Sequence, residues 1–172
     1  MKALVIIDVQ NVMFSYQAGV YKGKEVIDCI KQAIEKARQA DAPIIYIQHV
    51  VDETTQTTDT CGDWAIYSEI YPQDGDRIIQ KRTCDSFHET ILTDTLKDLG
   101  VDEIVYAGMA TDYCVDTTCR RSFGMGYKGQ LLRDGHTTFD SEDLSADRII
   151  AHHNTILNGR FLELITIDDL TF

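Results

Sequence analysis

Strands and helices alternate along this sequence, and the alternation predicts an α/β fold: a three-layer α/β/α sandwich around a mainly parallel six-stranded sheet. Two observations carry that expectation. Short runs such as Ala3-Leu4-Val5-Ile6-Ile7 are apolar at every position and rich in β-branched residues, as strands covered on both faces must be. Between such runs lie longer amphipathic stretches with apolar residues at helical spacing, which serve as right-handed crossovers between parallel strands.

The elements follow in order. Ala3–Ile7 is the first strand. Val26, Ile27, Ile30, Ala33, Ile34 and Ala37 then mark one face of a helix, with Lys31, Glu35 and Arg38 elsewhere on it. Pro43 ends that stretch, and Ile44-Ile45-Tyr46-Ile47 reads as the second strand. Arg77-Ile78-Ile79-Gln80 is a shorter third. Ile91, Leu92, Leu96 and Leu99 belong to a helix closed by Gly100. Glu103–Ala107 is the fourth strand, running into Gly108. A helix is expected over 112–123, capped by Thr111 and stopped by Gly124 and Gly126. Lys128–Leu132 is the fifth strand, 144–157 a helix stopped by Asn158-Gly159, and Phe161–Ile165 the sixth strand. No internal repeat or interdomain linker interrupts the pattern, so residues 1–172 are expected to form one domain. The threonine-rich stretch around residues 51–77 fits no element. It reads either as a lid over a binding site or as a surface excursion with a short helix near Trp64–Ile70.

Composition narrows the function classes. A chain of 172 residues with 44% apolar residues buries enough surface to fold without staples. The 28 acidic residues outnumber the 16 basic ones, a net charge of −12, which is the wrong sign for binding nucleic-acid phosphates. The five cysteines, Cys29, Cys61, Cys84, Cys114 and Cys119, form no C-x-x-C pair, and the odd number suits a reducing compartment. The apolar run near Met1 is too short for a signal peptide, and no run approaches membrane-spanning length, so a cytoplasmic location is expected.

In open parallel sheets, ligands bind outside the carboxyl ends of the strands. Three reactive residues fall at such ends. Asp8 follows the first strand, Lys81 follows the third, and Cys114 lies just past the fourth, in the first turn of the next helix. Together they offer a nucleophile, a base to take its proton, and an ammonium group to stabilise both anions. The helix N-terminus adds N–H groups suited to an oxyanion. Taken singly, each has a plainer explanation: Asp8 as a turn residue, Lys81 as a solvated lysine, Cys114 as a small core residue.

Three segments strengthen the trio. Asp8-Val9-Gln10, Lys81-Arg82-Thr83-Cys84-Asp85-Ser86-Phe87 and Gly108-Met109-Ala110-Thr111-Asp112-Tyr113-Cys114-Val115 together resemble the isochorismatase-like cysteine hydrolases, a group that includes nicotinamidases and N-carbamoylsarcosine amidohydrolases. Gly62, Pro72–Asp76 and Asp134-Gly135-His136 extend the resemblance over nearly the whole chain. It implies that Asp8 is the general acid/base, Lys81 its charged partner and Cys114 the nucleophile. It also implies a cis peptide between Met109 and Ala110, with the N–H groups of Ala110 and Cys114 aimed at the oxyanion. No cofactor is implied, and homo-oligomers, dimers or tetramers, are common in the group.

Departures from the family pattern matter as well. Metal-dependent nicotinamidases carry an Asp-x-His pair after the second strand. His49 stands in Ile47-Gln48-His49 without that Asp, and no histidine lies between it and His88, so no metal is expected. Cys114 favours thiol-mediated C–N cleavage over the ether hydrolysis of isochorismatases, which generally lack this cysteine. Phe14, Trp64 and Tyr113 are candidate walls of a substrate pocket. Arg120 and Arg121 suit the end of their helix, and His152 and His153 point to different sides of theirs. The expected activity is hydrolysis of a small amide or related C–N bond through a thioester on Cys114. The alternatives are isochorismatase-type ether cleavage and a redox-sensing or small-molecule-binding protein.

Overall fold

A computed structural model describes residues 1–15, 19–51 and 62–172. Its centre is a sheet of β1 (Lys2–Ile7), β2 (Ile44–His49), β3 (Arg77–Lys81), β4 (Glu103–Met109), β5 (Lys128–Thr137) and β6 (Glu163–Ile165). The order across the sheet is β3-β2-β1-β4-β5-β6, and every neighbouring pair is parallel. The helices are α1 (Val12–Ser15), α2 (Gly23–Gln39), α3 (Leu92–Asp98), α4 (Asp116–Gly124) and α5 (Ala146–Leu157).

The alternation of side chains along β1 shows why its sequence is apolar throughout. Leu4 and Ile6 pack with Val26, Ile27, Ile30 and Ala33 of α2 on one face. Ala3, Val5 and Ile7 pack with Leu92 and Leu96 of α3 and Cys119 of α4 on the other. The chain leaves β1 toward β2 and β3, then returns to lay β4 on the opposite side of β1. The strand order therefore reverses at β1, and the crevice at the carboxyl ends of β1 and β4 is where such folds hold ligands.

Several boundaries differ from the sequence expectation. β5 continues past Leu132 to Thr137, because the pairing jumps from Tyr106–Leu131 to Gly108–His136. Arg133-Asp134-Gly135 has the composition of a turn but forms a bulge within the strand. β6 begins at Glu163 rather than Phe161, and α5 at Ala146 rather than Leu144. The helix expected over 112–123 is two pieces, a π-helical turn at Thr111–Val115 followed by α4. Thr111 does not cap it with its side chain; Ala110 occupies the cap position without a side-chain bond, and the Thr111 hydroxyl is bonded to His136 at 2.8 Å.

The lid expectation falls partly on residues 52–61, which lie outside the described residues. From Gly62 onward the chain is fastened to the segment after β1. Asn11 N–H donates to Ala65 O and Tyr67 N–H to Val9 O, with an antiparallel bridge between Gln10 and Ile66. A short 3₁₀ turn follows at Ser68–Ile70.

Candidate active site

Each strand end delivers one polar side chain into the interior. Asp8 follows β1 with φ of 50°, a left-handed conformation that Asp tolerates better than most residues. Its N–H donates to Ile47 O. Next to it, Gly108 at the end of β4 has φ of 132°, and a Cβ there would stand 2.1 Å from Ile7 O. Only glycine allows the two strands to approach so closely where the site begins.

Lys81 closes β3, two strands away from β1, so its side chain must cross the end of β2. It is 2% exposed, and Asp8 is 5% exposed. The Lys81 Nζ lies 2.6 Å from Asp8 Oδ2 and 3.1 Å from Cys114 Sγ, and donates to Thr83 O at 2.9 Å. His49 is Lys81's register partner on β2, and its Nδ1 stands 3.3 Å from the same nitrogen. The structure thus brings Asp8, Lys81 and Cys114 together, and adds His49, which spacing had weighed only as a metal ligand.

Cys114 sits in the π-helical turn Thr111–Val115, whose N–H groups at Tyr113 and Val115 both donate to Ala110 O. The Met109–Ala110 peptide is cis. Burial raises the Cys114 thiol pKa well above its ordinary value, and the Asp8 carboxylate pushes it further; Lys81 opposes both. Burial and Asp8 thus work against the thiolate that a helix N-terminus and an ammonium would favour. Burial also raises the Asp8 pKa, against the pull of Lys81. Burial works against the Lys81 charge, yet Asp8 and Cys114 together raise its pKa, so the ammonium persists. His49 is shifted down by burial and then by Lys81, and because the Lys81 ammonium can only donate, the contact at Nδ1 makes that nitrogen the acceptor and puts the ring proton on Nε2.

A cavity of about 470 Å³ opens above these groups. Val12, Met13, Trp64, Met109, Tyr113 and Phe139 form its apolar wall, with Asp8, Gln10, His49, Cys84, Ala110 and Cys114 completing the lining. Trp64 and Tyr113 are thus in the lining. Phe14 is not: it stacks on Tyr67 at 4.2 Å and packs over Gly23. One residue along a helix turns the side chain by about 100°, so Val12 and Met13 meet the cavity and Phe14 leaves it. Arg120 pairs with Asp116 at 2.8 Å over the Phe161 ring, and Arg121 approaches Asp85, so neither faces the cavity. His153 also bonds Asp116.

Asp8, His49 and Cys114 offer ligand atoms within 4.8 Å of one another, a spacing that suits a divalent cation. The Lys81 ammonium contacts all three of these residues.

Comparison with known proteins fits this geometry. The isochorismatase domain model matches residues 2–166.

The chain belongs to the isochorismatase family.

This is a family of hydrolases. Streptothricin hydrolase of Streptomyces noursei is 28% identical over 81% of the chain, although the match spans only 55% of that longer relative. Nicotinamidase 3 of Arabidopsis thaliana is 28% identical over 92% of the chain and 80% of its own length. A solved structure of an isochorismatase family protein superposes with a TM-score of 0.89 at 34% identity, covering 96% of this chain and 98% of the other. Among the described residues of this isochorismatase-family chain, no helix is long and apolar enough to cross a membrane.

Proposed function

We propose that this protein hydrolyses a small carboxamide or related C–N bond through a thioester on Cys114. One observation supports the reading above others: the Lys81 ammonium touches both a carboxylate and a thiol at the floor of an apolar cavity. That arrangement pairs a base with a nucleophile and keeps both from water.

On this route Asp8 removes the Cys114 proton as the sulfur attacks the substrate carbonyl. The new C–S bond pushes the carbonyl electrons onto oxygen, where the N–H groups of Ala110 and Cys114 are proposed to hold the oxyanion. Collapse breaks the C–N bond, and the leaving nitrogen takes the proton from Asp8. Water then gives a proton to Asp8 and its oxygen to the thioester, and the departing sulfur recovers that proton. Lys81 remains protonated throughout and moves no proton. The family relatives that carry the names nicotinamidase and streptothricin hydrolase agree with a hydrolytic reading.

The test is an ammonia-release screen over amides, ureido acids and nicotinamide, run beside Cys114→Ala. The expected result is turnover by the native protein and none by a variant with an unchanged circular dichroism spectrum. A Cys114→Ala protein that hydrolyses the same amide at the native rate refutes the thioester.

A further inference from the structure

We infer that the substrate is a neutral or cationic amide with an apolar body, and that anionic amides are rejected. The inference rests on Cys114 being the reacting group of the cavity described above. It comes from an inventory of what the cavity offers a ligand. Val12, Met13, Trp64, Met109 and Phe139 offer apolar surface. The Gln10 amide is already spent, because its Nε2 donates to the carbonyls of His49 and Trp64 while its Oε1 accepts from His49 N–H. His49 turns Nδ1 to Lys81, leaving Nε2–H as a neutral donor for a substrate oxygen or nitrogen.

Positive charge is what the inventory lacks. Among the described residues, no Lys or Arg lines the cavity. Lys81 lies beneath it, and its three protons face four partners: Asp8, Cys114, Thr83 O and His49. Recognition of a carboxylate in an apolar site requires a partner of opposite charge, most often an Arg fork. Here an anionic substrate would lose its hydration, gain no partner of opposite charge among the described residues and meet the Asp8 carboxylate. The net charge of −12 acts in the same sense on approach.

Alkylation of Cys114 tests this without requiring that a substrate be known. Iodoacetamide and iodoacetate differ by the charge in question. Their rates at Cys114 of the native protein, read by peptide mass spectrometry, are each divided by the rate with 2-mercaptoethanol at the same pH. The expected result is a normalised rate at least tenfold lower for iodoacetate. Less discrimination, a preference for iodoacetate, or no reaction of Cys114 with either reagent overturns the inference. Met13→Arg places a guanidinium in the wall and should restore iodoacetate at least tenfold relative to iodoacetamide. Failure of a folded Met13→Arg protein to do so shows that the wall charge does not set the preference, and overturns it as well. Benzamide, 4-(aminomethyl)benzamide and 4-carboxybenzamide form a parallel arm scored by ammonia release. If alkylation discriminates but no amide in a broad panel is hydrolysed, the hydrolytic reading fails while the charge preference stands. If 4-carboxybenzamide is the best of the three substrates, the charge preference fails while hydrolysis stands.

Discussion

Replacing Asp8 by Asn should separate two properties that usually fall together, thiol reactivity and turnover. Asp8 is one of the groups that keep Cys114 protonated, and Lys81 opposes it. A carboxylate oxygen and the sulfur lie within 4.8 Å. At an effective dielectric constant of about 20, that separation corresponds to roughly 3.5 kcal/mol between two unit charges. Removing the carboxylate therefore lowers the apparent pKa of the thiol by about 2.5, and raises the thiolate fraction at neutral pH roughly 300-fold. A less basic thiolate is a weaker nucleophile, and with a Brønsted slope of about 0.45 the loss is roughly 13-fold. The net expectation is iodoacetamide alkylation of Cys114 about 20-fold faster in Asp8→Asn, with its pH profile displaced to lower pH. Lys81 keeps the Thr83 carbonyl at 2.9 Å and the Cys114 sulfur at 3.1 Å as acceptors in the variant, and circular dichroism checks that the fold is retained. Amide hydrolysis moves the other way and falls by about 10²–10⁴, because the group that protonates the leaving nitrogen is gone. Alkylation kinetics from pH 5 to 10, with thiolate absorbance near 240 nm as a second reading, decide the matter. If Asp8→Asn reacts no faster than the native protein and titrates no lower, Asp8 does not hold the thiol protonated and the proposed division of labour is wrong.

Three further outcomes are expected. Burial depresses the pKa of His136 from 6.5 to about 4, with a bond to Asn154 opposing the shift. The unfolded chain thus binds the extra proton first, so the stability from keeping His136 neutral is complete above pH 6.5 and is lost as pH falls toward 4. The loss is about 3 kcal/mol, and urea midpoints at pH 7 and 4.5 should converge between native protein and His136→Asn as the pH is lowered. Thr111→Val removes the hydroxyl that meets His136 Nδ1 at 2.8 Å, leaves a buried nitrogen unpaired and should cost about 1–3 kcal/mol in urea denaturation; an unchanged midpoint refutes the bond's contribution. Gly108→Ala drives a Cβ to 2.1 Å from Ile7 O in a backbone conformation reserved for glycine, and should lose at least about 3 kcal/mol. A Gly108→Ala protein with a native melting temperature would mean that β1 and β4 separate freely at the site.

Much of this architecture is legible in residue order because burial on both faces forces strands such as Ala3–Ile7 to be apolar throughout. Asp8 and Lys81 close strands and Cys114 lies a few residues past one, which puts all three near the sheet end where ligands bind; the resemblance to cysteine hydrolases is what sets them apart from a turn residue, a surface lysine and a core cysteine. What remains hidden depends on which strands are neighbours, and apolar pattern does not encode strand order. His49 shows this best. Alone it is a histidine without metal partners; only the placement of β2 between β1 and β3 makes Lys81 pass over it. The β5 bulge was hidden because Arg133-Asp134-Gly135 looks the same whether the strand ends or resumes. The Thr111 hydroxyl took a buried imidazole brought by that resumed strand in preference to the helix end beside it. Phe14 left the cavity through a matter of helix phase that a four-residue helix is too short to reveal in sequence.

The charge state of the site favours the proposed chemistry for a reason that its individual pKa shifts do not show. On the proposed route the resting site carries the Asp8 carboxylate, the Lys81 ammonium, the Cys114 thiol and a neutral His49, a net charge of zero in a buried space. Moving the thiol proton to Asp8 exchanges a carboxylate–ammonium pair for a thiolate–ammonium pair about one Lys81 bond away, at 3.1 Å rather than 2.6 Å. The net charge stays zero, and Lys81 contacts the anion before and after the transfer. The cost of a lone buried charge, several kcal/mol, is therefore avoided on both sides of the step. A neutral or cationic amide leaves this balance without a second anion beside Asp8. A substrate carboxylate would add one, and no wall residue among those described offers the charge to offset it. The tethered ammonium that balances Asp8 and Cys114 is thus committed beneath the cavity and leaves the described wall with no positive charge to offer an anionic substrate.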